Sequence, residues 1–204
     1  MMQPLQIRTL DIVLSVLGII FTMPFMLVVA VLGYFINGSP LFFQTRVGHQ
    51  QKLFTLVKFR TMKLHTESVG THLVDANSIT KFGTFLRKSK LDELPQLFNV
   101  LAGQMSLVGP RPCLPNQAEL IAEREKRDVF NVHPGITGLA QVSNVDMSTP
   151  RKLSRYDQFM IKRLRPKLYL TIIFATALGK GHGDRVFPRP KQTSHYSELQ
   201  LAKH

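Results

Sequence analysis

The sequence contains no tryptophan and only one cysteine, Cys113, among its 204 residues. A single cysteine excludes an intrachain disulfide, so burial and hydrogen bonding must hold the fold, and the low count is consistent with a reducing compartment. We interpret Cys113 as a small packing residue rather than a nucleophile. Hydrophobic residues make up 44% of the chain, which is enough for one domain with a packed core.

Acidic residues are scarce: the chain has 13 of them against 26 basic residues, which gives a formal net charge of +13. Such an excess predicts an anionic partner, either nucleic acid, anionic lipid or a phosphorylated substrate. Nucleic acid is not expected, because the basic residues are spread along the chain and no recognised nucleic-acid-binding motif is present. The seven histidines show no zinc-ligand spacing, and neither a dinucleotide-binding glycine motif nor a P-loop occurs.

Charge is entirely absent from residues 12–36, a run of 25 residues. About 20 apolar residues cross a bilayer core, whereas a secretory signal has a shorter apolar run that closes with a cleavage site. We therefore expect residues 1–37 to be embedded in a membrane. Pro24 lies at the middle of the run and predicts a kink, and the hydroxyl of Thr22 is placed to bond a freed carbonyl. A spanning helix and a re-entrant helix-hairpin both fit this pattern.

Downstream of the apolar run, the pattern predicts a mixed α/β fold of the α+β kind, with a small β-hairpin sheet and several packed and interfacial helices. We expect one domain over residues 38–186 and a polar tail over residues 187–204. The predicted elements, in chain order, are hairpin strands over 41–46 and 53–60, a polar loop over 64–78, a helix over 79–88, a short strand over 105–108, a helix over 116–130, a loop over 133–138 and a short apolar helix over 168–178.

The most informative feature is the dipeptide Asp92-Glu93, the only acidic pair between Asp75 and Glu119. Two carboxylates inside a cationic segment are typical of a site for an anion and a divalent cation. Arginine and lysine hold phosphate oxygens, while carboxylates ligate Mg²⁺ or act as a nucleophile. A second interpretation is structural: Asp92 caps a helix that ends at Gly103. The basic residues of this segment are Lys81, Arg87, Lys88, Lys90 and Arg111.

Four segments follow the apolar run in order: PLFFQTRVG at 40–48, KFRTM at 58–62, LDELPQLFNVLAGQMSLVGPRP at 91–112 and HPGITGLAQV at 133–142. Together with the proline-centred run, they resemble the bacterial sugar transferases, the monotopic polyprenol-phosphate phosphoglycosyl transferases. The resemblance extends over residues 8–186 of the sequence. An ordered set of this length is far more specific than an acidic pair alone.

The resemblance implies an enzyme at the cytoplasmic face of the bacterial inner membrane, with a re-entrant membrane helix around Thr22 and Pro24. Such an enzyme moves a sugar 1-phosphate from a UDP-sugar to undecaprenyl phosphate, releases UMP and starts a surface glycan. The matching positions make Asp92 the nucleophile of a covalent phosphosugar intermediate, and Glu93, together with Asp92, a ligand of Mg²⁺. The implied phosphate-binding positions are all basic: Lys58, Arg60, Arg87 and Arg111.

The chain departs from the family pattern in two places. Met23 stands where relatives often carry a small hydroxyl residue before the membrane proline, so Thr22 is the expected substitute. Residues 143–148 replace a segment that contains glycine and arginine in many relatives, and no arginine role is carried over to them.

Expected partners are the UDP-sugar, undecaprenyl phosphate and anionic phospholipids, and homo-oligomers are left open. The basic run at 151–167 is the expected contact with anionic lipid. The competing hypothesis is a non-enzymatic membrane-anchored adaptor that binds anionic lipid or partner proteins. It predicts no metal dependence and no effect of changing Asp92.

Overall fold

A computed structural model of the chain describes residues 4–64 and 78–181, which form seven α-helices and two small two-stranded sheets. This mixture of helices and small sheets, led by one long apolar helix, agrees with the predicted α+β class. The polar tail predicted over 187–204 lies outside the described residues, as does nearly all of the loop predicted over 64–78.

The first helix, α1 (Leu5–Asn37), has 33 residues and is long and apolar enough to cross a membrane. It ends at Gly38, which adopts the left-handed conformation (φ 72°) and donates its N–H to the carbonyl of Tyr34. Much of its surface is apolar and exposed. Its buried residues recur at helical spacing and form one stripe along the whole helix: Ile7, Asp11, Ser15, Ile19, Met26, Val29, Gly33 and Asn37.

Helix α1 continues through Pro24, so this residue does not divide it into two separate helices. Pro24 lacks the N–H that would bond the carbonyl of Ile20. The hydroxyl of Thr22 donates to the carbonyl of Gly18 at 2.7 Å. Because a threonine hydroxyl in a helix reaches the carbonyl four residues earlier, Thr22 bonds a carbonyl other than the one that the proline frees.

Strands β1 (Leu41–Val47) and β2 (Leu53–Phe59) form the predicted antiparallel hairpin, with Leu41 opposite Phe59. A 3-10 turn at His49–Gln51 connects the two strands. Successive side chains of a strand point to opposite faces, and this alternation turns Arg46 and Lys58 toward the interior, where both are buried. The hairpin thus brings two basic groups inward.

Helix α2 (Lys81–Ser89) is followed by a 3-10 turn (Leu91–Glu93) and by α3 (Gln96–Leu101). The proposed capping role of Asp92 is wrong, because Asp92 lies inside the turn. Pro95 occupies the cap position of α3 and makes no side-chain cap bond. Gly103 adopts the left-handed conformation (φ 78°) just after this helix, as predicted.

A second, parallel sheet pairs β3 (Ser106–Val108) with β4 (Gly135–Thr137). The prediction of a loop over residues 133–138 is therefore wrong at its centre. A strand of three residues is too short to show the alternation that identifies strands. The pairing requires a glycine at 135, since a Cβ there would lie 2.0 Å from the backbone nitrogen of Gly109.

The remaining helices are α4 (Ala118–Glu125), α5 (Leu139–Val142), α6 (Pro150–Arg163) and α7 (Pro166–Ala177). Helix α4 is shorter than the helix predicted over 116–130, because Asp128 adopts the left-handed conformation (φ 56°). Helix α7 confirms the predicted apolar helix over 168–178, apart from its bounds. It buries Tyr169 and Ile172, whereas Leu170 and Phe174 are exposed.

A buried carboxylate joins α1 to the rest of the protein. Oδ1 of Asp11 accepts the hydroxyl of Tyr169 at 2.6 Å, the hydroxyl of Ser106 at 2.8 Å and the N–H of Leu107 at 2.8 Å. Burial and the neighbouring carboxylate raise the pKa of Tyr169 far above its usual range, so its hydroxyl keeps its proton and remains a donor. One carboxylate thus links α1, β3 and α7.

Candidate active site

The Asp92-Glu93 pair occupies the short turn between α2 and α3, and both residues are buried, Asp92 to the point of being 1% exposed. Lys90, in the left-handed conformation (φ 58°), reverses the chain between α2 and this turn. Its ammonium group donates to the carbonyl of Lys180 at 2.8 Å, just beyond the end of α7. The turn is therefore held between two helices and, through Lys90, against the end of a third.

Apolar side chains on both sides of the acidic pair pack against a cluster to which α1 contributes. Leu91 and Leu94 pack against a cluster that includes Ile19 and Met26 of α1. These two residues of α1 lie on either side of Pro24 in sequence. The turn that carries the acidic pair thus shares a hydrophobic cluster with the apolar helix.

Arg111 contacts the acidic pair directly. Its Nη2 lies 3.0 Å from Oε1 of Glu93, across 18 positions of sequence. Pro110 and Pro112 flank Arg111 and restrict its backbone to extended conformations. The structure therefore places Arg111, one of the predicted phosphate-binding residues, against the acidic pair.

Lys58 and Arg111 line one small pocket. Arg46 and Gln96 also line it, and the sequence analysis assigned a role to neither. Both residues lie within the segments that carry the family resemblance, Arg46 at 40–48 and Gln96 at 91–112. Gln96 is four residues after Asp92, about one helical turn, a spacing that could have identified it.

Arg60 and Arg87 lie outside the described lining of this pocket. The guanidinium of Arg60 sits over the ring of Phe42, with 5.5 Å from Cζ to the ring centroid. Arg87 is buried, and its Nε donates to the hydroxyl of Thr61 at 2.9 Å. The structure thus brings two of the four predicted basic residues, Lys58 and Arg111, to one described pocket.

The donor chemistry of the pair suits Mg²⁺. Among residues 4–64 and 78–181, no group of three or more His, Cys, Asp and Glu side chains converges. Magnesium takes hard oxygen ligands and is often held by one or two carboxylates, with water and substrate phosphates completing its shell. Two adjacent carboxylates beside a basic pocket supply such a partial set, and Glu93 and Asp92 are the residues that would hold the ion.

Cys113 is fully buried in a hydrophobic cluster of the described core. Burial raises the pKa of its thiol, and the nearby Arg124 only partly opposes the rise. A protonated, inaccessible thiol is a poor nucleophile. The interpretation of Cys113 as a packing residue is confirmed.

The sequence is similar to proteins of one family over most of its length. The model of the bacterial sugar transferase family matches residues 2–180. The UDP-glucose:undecaprenyl-phosphate glucose-1-phosphate transferase of Xanthomonas campestris is 40% identical over 182 residues, which cover 82% of this chain and 37% of that protein. The undecaprenyl-phosphate galactose phosphotransferase of Salmonella typhimurium is 36% identical over 83% of this chain and 39% of its own length.

A shorter relative matches over its length as well. The exopolysaccharide production protein ExoY of Sinorhizobium fredii is 31% identical, and the match covers 83% of this chain and 82% of that protein. The chain thus spans well under half of the two transferases named above and most of the third relative.

Proposed function

The chain belongs to the bacterial sugar transferase family, and from that premise we propose that it moves a sugar 1-phosphate from a UDP-sugar to undecaprenyl phosphate. The reaction releases UMP at the cytoplasmic face of a bacterial inner membrane and starts a surface glycan. The names of the Xanthomonas and Salmonella relatives support this reaction class. The observation that carries the proposal is the Arg111–Glu93 pair beside Asp92, in a turn packed on the apolar helix.

The proposed chemistry has two displacements at one phosphorus atom. The carboxylate of Asp92 attacks the sugar-bearing phosphorus, the bond from that phosphorus to the bridging oxygen breaks, and UMP leaves with the electron pair. A phosphate oxygen of undecaprenyl phosphate then attacks the same phosphorus and returns Asp92 as a carboxylate. Each displacement exchanges one phosphorus–oxygen bond for another, so no oxidant or reductant is needed.

The basic residues of the pocket make this attack possible by offsetting the negative charge of the substrate. A diphosphate repels an incoming carboxylate, so positive charge must first offset the negative charge of the substrate. Lys58 and Arg111 supply it from the pocket lining, and Arg111 presents a planar fork suited to phosphate. Mg²⁺, when bound by Glu93 and Asp92, supplies further charge neutralisation to the phosphate oxygens.

The deep burial of Asp92 indicates that substrate binding rearranges the site. The side chains of Arg111 and Glu93 are 20% and 10% exposed, so this pair is the more accessible part of the site. A diphosphate that draws Arg111 away from Glu93 would open a path to the carboxylate behind it. We propose this exchange of partners as the opening step.

We also propose that α1 enters the membrane and returns to the same face. Its buried stripe runs from Ile7 to Asn37, on both sides of Pro24, so the protein contacts the helix over its full length. A helix that crossed a bilayer of about 30 Å would contact a body on one face only near one end. Contact along the whole stripe therefore supports the re-entrant arrangement over the spanning one.

Helices α6 and α7 carry the features expected of an interfacial surface. Phe159, Phe174 and Leu178 are exposed, and the guanidinium of Arg163 lies 4.1 Å from the ring centroid of Phe159. Exposed apolar residues beside basic ones are typical of helices that lie on anionic lipid. Binding of anionic phospholipids by this surface is part of the proposal.

The reaction is tested by UMP release from a panel of UDP-sugars, with purified protein in nanodiscs, Mg²⁺ and undecaprenyl phosphate. Asp92→Asn keeps the size of the side chain but removes the nucleophile, so turnover should be abolished. Asp128→Asn is a matched control, because the exposed Asp128 adopts a left-handed conformation that asparagine tolerates. Undiminished release by Asp92→Asn would contradict Asp92 as the nucleophile, whereas no UMP release by the wild type from any UDP-sugar would favour the adaptor.

A further inference from the structure

The chain between β3 and α4 contains a short segment whose backbone is held at every residue. We call residues 110–113 the arginine arm, because they carry Arg111 between two prolines. Each carbonyl of the arm accepts a hydrogen bond from a separate donor: Pro110 from the N–H of Gly135 (2.9 Å), Arg111 from Nη1 of Arg124 (2.7 Å), Pro112 from Nη1 of Arg46 (3.0 Å) and Cys113 from the N–H of Val47 (2.9 Å).

Two of these donors are guanidinium groups that come from different elements. Arg46 comes from β1 and Arg124 from α4, and both are buried. A buried guanidinium is costly unless it is paired and hydrogen-bonded. For Arg124 the compensating group is Asp157 of α6, whose Oδ2 accepts from Nε at 3.0 Å and from Nη2 at 2.8 Å.

The hydrogen bonds of Arg124 restrict the backbone of Arg111. Asp157 holds two of the guanidinium nitrogens, and the third points at the carbonyl of Arg111. The flanking prolines fix their own φ angles and restrict the residue before each of them. With its carbonyl held and its neighbours restricted, Arg111 projects its side chain from a fixed origin to Glu93.

We propose that Arg124, held by Asp157, is a positioning residue that aims Arg111 at Glu93 and at the diphosphate of the nucleotide sugar. This inference rests on the proposed transferase function. Arg124 acts through Arg111 and is not itself a catalytic residue. A lysine at position 124 keeps the charge but cannot bond Asp157 through two nitrogens and the carbonyl of Arg111 through a third.

A double-mutant cycle tests the proposal through turnover. Arg124→Lys should lower kcat/KM by about tenfold or more in the wild-type background, because small errors in the position of a binding group are costly. In an Arg111→Ala background the same change should cost less than about twofold, since there is no side chain left to position. Equal losses in both backgrounds would overturn the proposal and leave Arg124 a structural role only.

The matched control is Arg127→Lys. Arg127 lies two residues after the end of α4, and its Nη1 donates to Oε2 of Glu123 at 2.7 Å and to the carbonyl of Glu123 at 2.7 Å. Like Arg124, it pairs with a carboxylate near the C-terminal end of the helix, but it makes no described contact with the arginine arm. Its kcat/KM should stay within about twofold of the wild type.

A second measurement does not depend on turnover. Amide hydrogen exchange of the peptide that covers residues 105–114, measured in nanodiscs, should be faster in Arg124→Lys than in the wild type, and unchanged in Arg127→Lys. Unchanged exchange in Arg124→Lys would overturn the proposal. If the wild type releases no UMP from any UDP-sugar, the transferase proposal fails, whereas the exchange measurement still decides whether Arg124 holds the arm.

If Arg124→Lys does not fold, a second variant that keeps the shape of the Arg124–Asp157 pair is used instead. Asp157→Asn retains an oxygen for Arg124 but removes the negative charge. The same two measurements then apply, with the same expected direction: a loss of turnover that depends on Arg111 and faster exchange over residues 105–114. A loss that is independent of Arg111, or unchanged exchange, would count against the proposal.

Discussion

Two arginine–carboxylate pairs in this protein have similar lengths and very different surroundings. Arg124 and Asp157 are 2.8 Å apart, and each side chain is 2% exposed. Arg111 and Glu93 are 3.0 Å apart, and their side chains are 20% and 10% exposed. The first pair lies sealed between α4 and α6, whereas the second borders the pocket that also contains Lys58.

Because the two arginine–carboxylate pairs differ in exposure, they are suited to different roles. Breaking a buried ion pair leaves a charge with neither water nor a partner around it. The two members of such a pair therefore stay together as long as the protein is folded. A pair that water reaches is held by much less free energy, so either member can exchange its partner for a ligand. The sealed pair therefore serves the fold, and the accessible pair is suited to bind a phosphate or a metal ion.

The largest effect should come from breaking the sealed pair. Asp157→Ala should lower the free energy of unfolding by about 3–5 kcal/mol, because Arg124 would be left buried without its counter-charge. Thermal or denaturant unfolding in detergent checks this value. Asp146→Ala, at an exposed residue, is the control. A loss below about 1 kcal/mol would show that the two pairs do not differ in this way.

Neutralising the accessible pair should affect turnover instead. Glu93→Gln preserves shape, and kcat should fall by about 10²–10³-fold because a proposed carboxylate ligand of Mg²⁺ is lost. The free energy of unfolding should change by less than about 1 kcal/mol. Both quantities are measured on the same preparation, and a variant that unfolds early while retaining its kcat would reverse the assignment of the two pairs.

Replacing the planar guanidinium of Arg111 by a group of the same charge should have a smaller effect on turnover. Arg111→Lys retains the cation but loses bidentate recognition, so KM for the UDP-sugar should rise by about tenfold. Initial rates of UMP release at several substrate concentrations give KM and kcat separately. An unchanged KM would mean that Arg111 does not contact the diphosphate.

The smallest effect concerns two histidines that belong to neither pair. The rings of His49 and His133 stack with centroids 4.6 Å apart. Burial lowers the pKa of His133, with further lowering from His49 and Arg8 and an opposing effect of Asp11. Because the folded-state pKa is depressed, the neutral ring contributes stability above the unfolded-state pKa of about 6.5, and this contribution is lost as the pH falls through the folded-state value.

This contribution is measured by unfolding the wild type and His133→Gln at several pH values. A range from about pH 7.5 to about pH 5 brackets the usual histidine pKa. Stability of the wild type should fall more steeply with acidification than that of the variant. Parallel pH profiles would mean that the ring is protonated as easily in the fold as in the unfolded chain.

The elements that the sequence predicted correctly are those with strong local patterns. The charge-free run gave α1, alternation gave the hairpin of β1 and β2, and Gly103 marked the end of α3. These features depend on residues close together in sequence, where periodicity and the conformational freedom of glycine act directly.

The features that could not be predicted depend on distant contacts. Strand β4 exists because Gly135 can approach Gly109, and three residues carry no pattern of their own. Arg124 and Asp157 are 33 positions apart, each on an amphipathic helix where a charged residue is normally taken for a solvent-facing one. The family pattern named Arg111 as a phosphate-binding position, whereas its contact with Glu93 and its support by Arg124 required the fold.

The buried stripe of α1 has a consequence for the proposed membrane arrangement. A free helix in a membrane can tilt or sink by itself, but α1 packs against the rest of the protein from Ile7 to Asn37. Any change in the depth of α1 must then move the entire molecule. The depth of this one helix would thereby set how far Asp92 lies from the plane of the lipid phosphates.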